Sequence, residues 1–204
     1  MKALRIILLC AAALFCSAAT IVIHGPARHA AAASTEYFGN TDTTAATSFD
    51  EWGGYTIRWR SDATAYYTCP GSGSRTLQSM ELYCKSNGGT PGTIRLALFD
   101  TSLNLVAEGS ATVTVSSTTV GWVGHLTAAD LRPVGGSSGD PITLTGGTNY
   151  LPAYSASSSD VRIAYEVVGT SMTYLNNNYT GGFPTTIAAG TNLNQSFRMK
   201  LGVQ

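Results

Sequence analysis

Charge is scarce in this chain. Lys, Arg, Asp and Glu make up 12% of its 204 residues, and twelve basic side chains offset twelve acidic ones. The cations form no patch; the densest groupings are pairs such as Arg58 and Arg60. Nucleic acid is therefore not an expected partner, because its affinity rests on clustered Lys and Arg neutralising phosphates. Histidine is scarcer still. His24 and His29 lie in the first 33 residues, which leaves His125 alone for any Ser-His-Asp or Cys-His chemistry. One His and two separated Cys do not make a closed zinc site, so no metal centre is expected. Helix signals are also few. The only helical turn the residues suggest is Thr127-Ala128-Ala129-Asp130-Leu131, opened by a Thr cap and ended before Pro133.

What the chain does have begins with a leader. Lys2 and Arg5 are followed by an uncharged stretch from Ile6 to Ile23, and Ala30 to Ala33 precede Ser34. A basic start, an apolar run and small residues at a cut describe a secretory signal. Residues 1–33 are read as that signal, with a cut after Ala33 favoured over one after Ala18 or Ala19. The rival reading is an uncleaved anchor, the one case in which the membrane would be a partner. The expected location is extracellular or periplasmic, and the leader's style points to a bacterium. Residues 34–204 then form one domain, with nine basic and twelve acidic side chains and a net charge of −3. Cys10 and Cys16 leave with the signal. The remaining pair, Cys69 and Cys84, is expected to form one disulfide in an oxidising compartment. Such a bridge would stabilise the fold by on the order of 3 kcal/mol.

Beyond the leader the apolar residues recur every second position. Ile57 and Trp59 alternate with Arg58 and Arg60, and Met80, Leu82 and Cys84 with Ser79, Glu81 and Tyr83. Ile94, Leu96 and Leu98 do so with Arg95 and Ala97, and Phe197, Met199, Leu201 and Val203 with Arg198 and Lys200. Turn-formers separate these windows, among them Pro70-Gly71-Ser72-Gly73, Asn87 to Gly92 and Gly135 to Gly139. Short alternating segments between glycine turns predict an all-β, antiparallel β-sandwich of about eight to ten strands.

Phe38-Gly39-Asn40-Thr41, Gly92 to Asp100, Gly121-Trp122 and Leu144 to Tyr150 follow one another in an order with a parallel elsewhere. The order resembles that of the non-catalytic jelly-roll modules of bacterial surface proteins, secreted polysaccharide-active proteins and phage fibres. The resemblance implies a jelly-roll-like sandwich with turn glycines and buried aromatics. It carries no catalytic residues that transfer to this chain.

Candidate chemistry is sparse. His125 reads more simply as a strand residue beside a buried Trp122, with its ring at the sheet surface, than as a general base. Gly135 to Gly139 matches Gly-x-Ser-x-Gly, but it sits in a loop rather than between a strand and a helix. Glu81 and Glu166 fall mid-strand, opposite the apolar stripe, and would serve as acid and nucleophile if the protein were a glycosidase. An ordinary ion pair of Glu166 with Arg162 on the same face is the simpler account.

Asp42, Asp50 and Asp160 in loops would suit structural calcium, though no Asp-x-Asp spacing supports it, and no other cofactor is expected. Aromatics give the best binding signal. Tyr174, Asn176, Asn178 and Tyr179 are read as a loop where rings stack on sugars and amides bond hydroxyls. Three functions follow as expectations. The first is a secreted non-catalytic module that binds a polysaccharide or another cell-envelope ligand. The second is a self-associating extracellular structural subunit. The third is a small glycosidase.

Overall fold

The computed structural model describes residues 34–44, 49–50, 56–60, 67–88, 90–157, 160–176, 182–188 and 191–204, with the backbone alone described at 50, 56–60, 167–176 and 191–195. The leader assigned to residues 1–33 lies outside the described residues, as do Asn178 and Tyr179.

Strands dominate, as the two-residue period requires. In chain order they are β1 (Glu36–Gly39), β2 (Phe49–Asp50), β3 (Thr56–Arg60), β4 (Ser74–Ser86) and β5 (Gly92–Asp100). Next come β6 (Leu105–Gly109), β7 (Val113–Val115), β8 (Gly121–His125), β9 (Leu131–Pro133) and β10 (Thr143–Thr145). The last four are β11 (Tyr150–Ala156), β12 (Val161–Asn176), β13 (Thr191–Phe197) and β14 (Met199–Val203). The expected helical turn is a 3-10 turn at Ala128–Asp130. Three residues are too few to close an α-helical ladder. Asp130 Oδ2 holds the turn's start by accepting from Thr127 N at 3.1 Å and Thr127 Oγ1 at 2.9 Å.

The pairings are antiparallel throughout and form two sheets. In the first, β8 and β10 line one edge of β4, while β14 and the start of β12 line the other. β1 lies beyond β14, and β2 beyond β12. The second runs β13-β12-β3-β11-β5-β6-β9, with β7 beside β5. β12 contributes to both sheets, and the chain also turns from one to the other at Arg198, between β13 and β14.

The core lies between the sheets, where the expected stripes meet. Met80, Leu82 and Cys84 from β4 join Leu96 and Leu98 from β5, Tyr154 from β11, and Phe197 and Leu201 from β13 and β14. Tyr154 meets Phe197 edge-on, with ring centres 4.9 Å apart. Each fully buried Leu or Phe contributes about 1.5–3 kcal/mol of hydrophobic stabilisation. A second apolar cluster covers the other face of the second sheet. There Phe183 and Ile187 pack on Ala97, Phe99, Leu105, Leu151 and Ala153. The backbone of this covering segment is tied down where Leu105 N donates to Thr185 O and Ile187 N to Leu103 O. Glu108 completes the tie. Its buried carboxylate accepts from Arg132 Nε at 3.0 Å and from Phe183 N at 2.8 Å.

The disulfide expectation is overturned: Cys69 and Cys84 are both free and buried. Cys69 N donates to Thr148 O and Gly147 N to Cys69 O, in a turn whose Gly146 N bonds Gly73 O at the entry to β4. Cys84 stands near the far end of β4, paired with Ile163. At ~3.3 Å per residue, the strand between those points spans roughly 30 Å. A bridge needs Cα atoms within about 7 Å.

Candidate functional site

The outer face of the first sheet carries the densest chemistry among the described residues. Parity decides which side chains reach it. Since Met80, Leu82 and Cys84 enter the core, Ser79, Glu81 and Tyr83 point away from it. All three are nonetheless buried, which the alternation did not foretell. The register shows what surrounds them. Gly39, Lys200, Glu81 and Gly124 form one row across β1, β14, β4 and β8. On one side of that row stand Tyr37, Gly202 and Ser79; on the other stand Tyr83 and Trp122.

The glycines in these rows are required by space. A Cβ on Gly124 would lie 2.2 Å from the Met80 carbonyl oxygen, and one on Gly202 would lie 2.6 Å from Ser79 Oγ. With no side chains there, the rings of Tyr37 and Trp122 lean diagonally over Lys200. Its Nζ sits 4.7 Å from each ring centre and 3.3 Å from Glu81 Oε1. Trp122 in turn packs on Tyr83, with centroids 5.0 Å apart. A cation between two aromatic faces is attracted by both ring quadrupoles, and the carboxylate beside it neutralises its charge.

Arg198 extends the strip. It is buried, its guanidinium carbon lies 5.9 Å from the Tyr83 ring centre, and its Nη1 donates to Thr44 O at 2.6 Å. Asp42 and Glu166 approach it at 3.2 and 3.4 Å. Asp42 is held below the usual carboxylate range, chiefly by the bond from Thr44 N, then by that from Thr44 Oγ1, with Arg198 adding a smaller effect.

The structure therefore puts Glu81 and Glu166 against different cations, Lys200 and Arg198, which stand two residues apart along the chain. Glu166, for which Arg162 was the expected partner, approaches Arg198. Asp50 lies in β2, where only its backbone is described, and Asp160 precedes β12. No group of three or more His, Cys, Asp or Glu able to hold a metal occurs among the described residues.

His125 departs from the sequence reading. Its ring is buried on the inner side of β8 rather than at the sheet surface, and it rests on Gly109 of β6. The neighbouring Trp122 is only partly buried, on the opposite side of β8. Burial pushes the imidazole down to about 4, with Asp130 opposing the shift and Arg95 adding to it. An open pocket of about 200 Å³ borders His125, Thr112, Leu126 and Asp130. The Gly-x-Ser-x-Gly match lies in a turn, where Ser137 N donates to Asp140 Oδ2 at 2.7 Å, and no helix follows it.

Tyr174 and Asn176 prove to be strand rather than loop, because β12 runs on to Asn176. Across β3 and β11, Tyr174 falls in register with Arg58 and Tyr154, and Asn176 with Thr56 and Ala156. Tyr154 and Ala156 belong to the buried core.

No family model matches this chain, and no curated protein is similar to it. The site therefore stands on its geometry. The residues the sequence reading passed over are Tyr37, Trp122, Arg198 and Lys200. Arg198 and Lys200 were legible as the set opposite the Phe197 to Val203 stripe. Tyr37 and Trp122 gave no such signal, because an aromatic in an alternating strand reads as core.

Proposed function

We propose that this protein is a secreted, non-catalytic, jelly-roll-like module that binds a glycan or another cell-surface component. The single observation that supports this reading is the strip of Tyr37, Lys200 and Trp122 on the outer face of the first sheet, with Tyr37 49% exposed. Aromatic planes accept the C–H faces of sugars, and a Lys beside a Glu offers donors and an acceptor to hydroxyl groups. The strip is carried on paired strands rather than loops, which keeps its geometry fixed. The glycosidase alternative gains nothing from carboxylates that each face a separate cation. The self-assembling subunit remains the second reading, supported by β1, which carries the exposed Tyr37 and lies at a sheet edge among the described strands.

The test is a pull-down of the purified protein on insoluble and soluble polysaccharides, with reducing ends measured in the same tubes. Retention without release of reducing ends is the expected result. Release would establish catalysis, and failure to bind any polysaccharide together with concentration-dependent oligomers would favour assembly.

A further inference from the structure

We infer that the ligand of this outer face is an uncharged glycan, held across the strip by the Tyr37 and Trp122 rings, rather than an acidic polymer. The inference rests on the binding reading above and specifies its ligand class. Its basis is the charge pattern of the face. Lys200 is matched by Glu81 at 3.3 Å, and Arg198 by Asp42 at 3.2 Å and Glu166 at 3.4 Å. Lys85 places its Nζ 4.3 Å from the Phe49 ring centre. A uronate or phosphate polymer that engaged Lys200 or Arg198, the cations of the strip itself, would need that cation released from its pair, leaving a largely buried carboxylate such as Glu81 alone.

The shape agrees with this. Lys200 Nζ lies 4.7 Å from both ring centres, so those centres stand within 9.4 Å of each other, twice that distance. A short oligosaccharide covers such a span. The Gly202 position lets the Tyr37 ring lie close to the sheet, with Cε1 3.1 Å from where a Cβ would stand, so a pyranose would rest on ring faces. Lys200 is mostly covered yet not sealed, with 18% of its side chain exposed. It keeps donors for hydroxyl groups while its charge is spent on Glu81.

The experiment compares binding of the purified protein to a soluble β-glucan and to a polygalacturonate of matched length by calorimetry. Both are run at about 0.05 M and about 0.5 M salt, where screening differs strongly. The expected result is glucan binding that changes less than about twofold with salt, and uronate binding at least about tenfold weaker. Tyr37→Ala, at an exposed position, and Trp122→Ala are each expected to weaken glucan binding by about tenfold. Tighter uronate binding that falls with salt would overturn the inference while leaving the glycan-binding reading intact. Glucan binding indifferent to Tyr37→Ala would remove this face as the site. No binding to either polymer, nor to any other in the pull-down, would sink the underlying reading itself.

Discussion

The imidazole of His125 occupies the space where a side chain on Gly109 would stand. A Cβ at position 109 would lie 1.9 Å from Nε2 and 2.0 Å from Cε1. The contact joins β8 of the first sheet to β6 of the second, so it closes the sandwich where the sheets approach.

Gly109→Ala is therefore expected to destabilise the protein by about 1–3 kcal/mol, the usual cost of overpacking. Urea denaturation measures it. His125→Ala frees the space, so the double variant should lose clearly less than the sum of the single losses. Additive losses would mean that the two residues do not meet.

The same burial sets a pH dependence. The folded state holds the His125 imidazole at about 4, against 6.5 for the ordinary group. Between those values the unfolded chain binds a proton that the folded chain refuses. Stability from this group is full above pH 6.5 and falls as pH drops toward 4, by about 3 kcal/mol in all. Urea midpoints of the protein and of His125→Gln across that range isolate the effect, since the carboxylates are common to both. A slope that survives in the variant would assign it elsewhere.

Much of this architecture was legible beforehand. Met80, Leu82 and Cys84, and Phe197 through Val203, announced their buried side by period alone, because one wet face and one dry face force alternation. The outer side of β4 was not legible. Ser79, Glu81 and Tyr83 are covered by Tyr37, Trp122, Lys200 and Arg198, which come from strands distant in sequence, and no local pattern records such a cover. The covering of Phe99 and Leu151 by Phe183 and Ile187 escaped for the same reason. The disulfide failed because compartment and cysteine count say nothing of distance, and β4 places Cys84 far from Cys69.

Free thiols make a further expectation. Burial raises the Cys69 thiol and pushes that of Cys84 up to about 12, so neither is a reactive thiolate near neutral pH. Reducing agent should leave the thermal midpoint unchanged, and a thiol reagent should label Cys69 and Cys84 only after denaturation. A midpoint that drops on reduction would show that a bridge forms after all.

Glu108 anchors the segment that covers the second sheet. Glu108→Ala removes the acceptor of Arg132 and of Phe183 N together, at a buried site. A loss of about 2–4 kcal/mol is expected, since buried charged partners are left unpaired. Hydrogen exchange should speed first at residues 182–188. Unchanged exchange there would contradict the anchoring role.

The most direct test of the binding account is electrophoresis of the native protein through gels cast with and without β-glucan, run beside Tyr37→Ala. The account predicts that the glucan slows the unaltered protein, and that Tyr37→Ala migrates nearly as it does in the plain gel. Equal retardation of both, or retardation of neither, would contradict it.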